Sequence, residues 1–126
     1  MPKISKDQAP VLVNDDIIEG RYAELGPFTI GFETFHADAD PAPLFRGLPD
    51  DRCQCEHWGQ VRRGKVTFRY PDREEEFVAG DFYYAPPGHL PLVTAGSEVA
   101  EFTPTAGLNQ TMAVLQSNMA KGSVDR

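Results

Sequence analysis

The stretch Gly80-Asp-Phe-Tyr-Tyr-Ala-Pro-Pro-Gly-His89 decides how this chain folds. Phe82, Tyr83 and Tyr84 favour an extended strand, and Pro86-Pro87-Gly88 ends it in a turn. His89 then stands at the tip of that turn as a potential metal ligand. A second dense stretch lies upstream, Cys53-Gln-Cys55-Glu-His57-Trp58-Gly59. The two stretches together hold both cysteines and two of the three histidines of the chain.

Outward from these, the sequence reads as short strands between turns. Phe28, Ile30 and Phe32 alternate with Thr29, Gly31 and Glu33, which is strand periodicity. Val11–Val13 and Ile17-Ile18 suit short strands or an arm on a neighbour. Ala37 to Pro43 is a proline-broken connection, and Leu44 to Pro49 continues it with room for one helical turn. Residues 52 to 62 read as one strand. Arg52, Gln54, Glu56, Gln60 and Arg62 share the outward parity, interrupted by Trp58; Cys53, Cys55, His57, Gly59 and Val61 share the inward one. Lys65–Tyr70, Glu75–Val78, Phe82–Tyr84, Pro91–Thr94 and Val99–Phe102 complete the succession, which indicates a sandwich or barrel. In the tail, Leu108, Met112, Leu115 and Met119 recur at helical spacing, so residues 107–120 read as an amphipathic helix with Gly122 just past its end.

Composition narrows the class. A chain of 126 residues suits a single domain with a real core. The net charge of −7 argues against nucleic acid and against an anionic membrane surface. No apolar run approaches the roughly 20 residues that span a bilayer. The N-terminus lacks the apolar core of a signal peptide, so a cytoplasmic location is the expectation. Two cysteines one residue apart make no disulfide framework; free thiols, metal ligands or a redox pair stay open.

Gly80-x5-Pro86-x-Gly88 and His57-x6-Gly64 resemble the two conserved motifs of the cupin superfamily. More narrowly, the stretch Cys53 to Pro104 resembles small single-domain bacterial cupins with a Cys-x-Cys-x-His-Trp-Gly segment and a Pro-Pro-Gly-His turn. The resemblance implies an all-β fold: a single cupin (double-stranded β-helix, jelly-roll) barrel over about residues 16–104, followed by the C-terminal helix, which would cover the barrel or make an oligomer contact. It also implies a homodimer, for which edge strands at the N-terminus and the outward Trp58 offer a contact. The usual cupin ligands, three histidines and a glutamate, are absent as such. Cys53 and Cys55 stand where paired histidines are usual, His57 takes the place of the glutamate, and His89 directly follows Gly88.

A set of Cys53, Cys55, His57 and His89 favours zinc, with copper, iron or nickel behind it. On a straight strand residues 53 and 57 lie about 13 Å apart, so a shared ion needs a bend between them. Without one, Cys55, His57 and His89 form the expected trio, with a position left for water or substrate. Glu101, on the inward parity of its strand, is a candidate ligand, hydrogen-bond partner of a ligand or proton-transfer group; Tyr83 or Tyr84 should line the interior, and Tyr83 is the candidate catalytic residue with Glu101. His36, at a strand end beside an acidic loop, reads as structural or exposed. The leading functional expectation is a small metal-dependent enzyme (oxygenase, isomerase, lyase or hydrolase) acting on a small organic molecule inside the barrel. The alternatives are a non-catalytic binding or sensing module using its thiols, and a purely structural metal.

Overall fold

In a computed structural model, which describes residues 2–124, nine strands form two antiparallel sheets and a single α-helix ends the chain. The strands are β1 (Val11–Asn14), β2 (Ile18–Leu25), β3 (Phe28–Phe35), β4 (His57–Arg63), β5 (Lys65–Arg69), β6 (Glu74–Val78), β7 (Phe82–Ala85), β8 (Leu90–Val93) and β9 (Glu98–Pro104). Six are ordered β1-β2-β3-β9-β4-β7, and β6-β5-β8 form the smaller sheet.

The sheets are stitched together at both ends of β8. Ala39, just past β3, pairs with Val93, and Cys53, ahead of β4, pairs with His89. In the second stitch the Cys53 amide donates to the His89 carbonyl at 3.0 Å and the Gly88 amide to the Cys53 carbonyl at 2.8 Å. Among the described residues no longer ladder joins the sheets, so they face each other as a two-sheet fold.

Alternation fills the space between the sheets. Val61, Val66, Phe68, Tyr83, Ala85, Val93 and Val99 are buried there with Phe35 and Tyr70. Each large apolar side chain so enclosed contributes roughly 1.5–3 kcal/mol. A second cluster gathers Phe45, Cys53 and Cys55 against Leu44, Leu48, Leu90, Leu108 and Leu115. The last two belong to α1 (Thr105–Val124), which the Asn118 side chain ties to the connection by donating to the carbonyls of Leu44 and Arg46.

Three expectations change. The strand read over residues 52–62 begins only at His57. A 3-10 turn at Pro49–Asp51, where Asp50 and Asp51 take φ of 57° and 55°, redirects the chain so that Cys53 to Glu56 run outside the regular ladder. The helix is longer than residues 107–120, and Gly122 lies within it. β2 extends over eight residues that showed no clear alternation, its register fixed against β3 from Ile18↔Phe35 to Leu25↔Phe28.

Candidate functional site

Between the sheets and α1 lies a cavity of about 480 Å³. At one end Cys53, His57 and His89 converge, all buried, with one ligand atom from each inside a sphere where every pair is within 4.8 Å. Cys53 Sγ is 3.7 Å from His57 Nε2, and the two imidazole rings are 4.9 Å apart. The chain reaches this arrangement because Gln54 to Glu56 leave the regular strand, which lets Cys53 fold back over the start of β4. The four-residue separation that a straight strand would stretch is thereby closed.

Both histidines are oriented through their other nitrogen. His89 Nδ1 is 2.8 Å from the Pro86 carbonyl, which only accepts, so Nδ1 carries the proton and Nε2 keeps its lone pair. His57 Nδ1 is 2.7 Å from Thr103 Oγ1, which leaves Nε2 facing Cys53. Burial pushes His57 down to about 4, and burial followed by the neighbouring His57 does the same to His89. Neutral imidazoles with an inward Nε2 are what a metal ion requires, and a thiol beside them is a soft third donor. The residues fit a divalent ion.

Cys55 is placed apart from this trio. Its Sγ lies 3.1 Å from Thr111 Oγ1 of α1, on the helix side of the second cluster. The structure therefore brings Cys53, not Cys55, to the two histidines. The thiols still interact: a hydrogen bond from Cys53 draws Cys55 down to about 7, and Cys53 is pushed up.

Next to the trio stands a carboxylate row that the sequence disclosed only in part. Across the large sheet, Tyr22, Gly31, Glu101, Gly59 and Tyr83 are successive cross-strand partners on β2, β3, β9, β4 and β7. Tyr83 donates to Glu101 Oε2 at 2.5 Å, and Glu101 Oε1 lies 3.7 Å from His57 Nδ1. The glycines make room. A Cβ at Gly59 would stand 2.7 Å from Glu101 Cβ and 2.8 Å from Tyr83 Cζ; one at Gly31 would meet the Tyr22 ring at 3.0 Å. One step along β3, Glu33 accepts from Tyr22 at 2.6 Å. Burial pushes Glu101 up to about 7. Burial first, then the charge of Glu101, pushes Glu33 up to about 8.

Glu101 and Tyr83 thus sit where the sequence put them, lining the cavity beside the trio. Glu33 and Tyr22 were missed. The signal available was a glutamate alternating with apolar residues on β3, but the apolar parity is the outer one: Thr29, Gly31, Glu33 and Phe35 line the cavity. His36 is exposed. Trp58 faces outward, stacked on Phe102 at 5.7 Å and near Tyr84 and Phe28. That face also carries Phe82, 79% exposed.

No family model matches the chain, and no curated protein does. Solved structures do. A protein of unknown function from Rhizobium leguminosarum BV. viciae 3841 aligns over 82% of this chain and 94% of its own at 15% identity, with a TM-score of 0.58. KdgF from Halomonas sp. aligns over 79% and 90% at 14% identity, with a TM-score of 0.54. Fe(II)-HppE with an alternative substrate aligns over 82% and 60% at 14% identity, with a TM-score of 0.54. The fold is shared with these structures. At such identities the likeness is one of fold alone, and the chemistry has to come from the residues. Among the described residues, no helix is long and apolar enough to cross a membrane.

Proposed function

We propose that this protein is a jelly-roll cupin that holds a divalent metal ion on Cys53, His57 and His89 and acts on a small organic molecule in the adjoining cavity. The observation that carries the reading is the convergence of three buried donors within 4.8 Å, with the Nδ1 atoms of both histidines already engaged. One thiolate and two imidazoles suit zinc first, then copper, iron or nickel. A bound ion would supply Lewis-acid polarisation to a ligand in its open position.

The chain's own groups would do the rest. Glu101, pushed up to about 7 by burial, both takes and gives a proton near neutrality, and Tyr83 holds it on the cavity side through Oε2. Thr103 sets the direction of His57. Phe35, Phe68, Val93 and the Leu108, Met112 and Leu115 face of α1 keep the space apolar and exclude water. The same reading expects a homodimer built on the outer aromatic face around Trp58.

Metal analysis of protein purified without added metal, then of protein loaded with zinc, tests the proposal, with His89→Ala and Cys53→Ser alongside. We expect near-stoichiometric metal in the wild type and loss in both variants. Folded wild-type protein that holds no metal and cannot be loaded overturns it. Two free, buried thiols one residue apart favour a second reading, a non-catalytic sensor. That reading would gain from a thiol-dependent change of oligomer without turnover on any substrate.

A further inference from the structure

The charges around the cavity are all of one sign. Four lining residues are acidic, namely Asp15, Glu33, Asp40 and Glu101, and among the described residues that line it there is no lysine or arginine. Two of the four are committed elsewhere. Asp40 pairs with Arg69 at 2.6 Å, and Asp15 caps its own turn by accepting from the amides of Ile17 and Ile18.

Glu33 and Glu101 remain, without a cation. Their hydrogen-bond partners are tyrosine hydroxyls, and the imidazole nearest to them is His57, with Nδ1 3.7 Å from Glu101 Oε1. Tyr22 uses Glu33 Oε2, while the other oxygen has no hydrogen-bond partner among the described residues. An enclosed carboxylate pair with no counter-charge is unfavourable until a proton or a cation joins it. Glu33 and Glu101 are diagonal neighbours across β3 and β9, a Cα spacing of roughly 7–8 Å, which one cationic nitrogen can bridge. A metal ion on the trio would reach Glu101 through His57 but would leave Glu33 unanswered.

We propose that the cavity takes a small protonated amine, its nitrogen seated between Glu33 and Glu101 and its apolar body against Phe35, Phe68, Met112 and Leu115. This deepens the reading of the cavity as a substrate pocket and rests on it, but it does not need the metal. In the metal-free chain the same acidic lining disfavours carboxylate and phosphate ligands, because no lysine or arginine lines it to neutralise them.

Titration calorimetry on the chelator-treated full chain tests this with three probes of matched size: phenethylamine, phenethyl alcohol and phenylacetate. The amine should bind at least about tenfold more tightly than either of the others. Glu33→Gln, which keeps the acceptor for Tyr22, should bring the amine and the alcohol close to parity. Saturable amine binding that is absent, or no tighter than that of the alcohol or the anion, overturns the proposal. So does a preference that survives Glu33→Gln. If that variant does not fold, the wild-type ranking decides alone. Zinc loading of the same preparation separates the two readings: amine preference without metal uptake removes the metal and keeps this inference, and metal uptake without amine preference does the reverse.

Discussion

Replacing Glu33 by glutamine should stabilise the protein, and increasingly so as the pH rises. The folded protein holds this carboxyl up to about 8, against an ordinary value of 4.5. Between those values the native state binds the proton that the unfolded chain has released. Stability is therefore lost as pH climbs through the window, at about 1.4 kcal/mol per pH unit. Glu101, raised to about 7, adds to the loss up to that point. The histidines run the other way. His57 and His89 are pushed down to about 4 from 6.5, so their contribution is full above 6.5 and fades as the pH falls towards 4. From 4.5 to 6.5 the two pairs oppose each other and the profile should be flat. Above 6.5 the glutamates act without that opposition.

Between pH 6.5 and 8, Glu33 alone should cost the wild type roughly 2 kcal/mol, which for a domain of this size is about 6 °C in Tm. Thermal melts of chelator-treated wild type and Glu33→Gln at several pH values measure it. The difference between the two proteins cancels Cys55, whose thiol, drawn down to about 7, gains stability with pH in both. A gap in Tm that stays constant from pH 6.5 to 8, or a variant less stable than wild type at pH 8, would refute the reasoning.

Other consequences are more local. Gly59→Ala would set a methyl 2.7 Å from both the Ala100 carbonyl and Glu101 Cβ, so it should cost about 1–3 kcal/mol, seen as a lower urea midpoint at unchanged m-value. Thr103→Val removes the hydroxyl at 2.7 Å from His57 Nδ1; zinc affinity by competition with a chelator should fall about tenfold while the melting curve stays cooperative. Unchanged affinity would show that Thr103 does not position the ring. Trp58→Ser with Phe102→Ser should turn a dimeric light-scattering mass into a monomeric one, and a wild-type mass that is already monomeric removes the homodimer.

The legible part of this fold was the part with alternating chemistry. β4 beyond His57, β5 and the Pro-Pro-Gly-His turn show inward and outward parities directly in the chain. β2 does not, because its inward parity carries Gly20 and the cavity-lining Tyr22 in place of two aliphatics, and a Cβ at 20 would collide with the tyrosine ring. On β3 the apolar parity misleads about the cavity, since Phe28 and Ile30 belong to the outer aromatic face. Of the site, His57, His89, Glu101 and Tyr83 were visible as residues. The choice between Cys53 and Cys55 was not, because it depends on the irregular backbone of Gln54 to Glu56, between Cys53 and His57. That is a backbone event no side-chain pattern announces.

The row Tyr22, Gly31, Glu101, Gly59 and Tyr83 also constrains how this protein can change over time. Its large and small members alternate across strands that are far apart in the chain, so each glycine is answerable to an acid or a ring many residues away. At 31 the obstacle is the Tyr22 ring, so a methyl there waits on the loss of that tyrosine. At 59 the Ala100 carbonyl, Glu101 Cβ and the Tyr83 ring all stand within 2.8 Å, so shortening Glu101 would not admit a methyl. One glycine can thus be released by a single change across the sheet, while the other is held by the backbone itself.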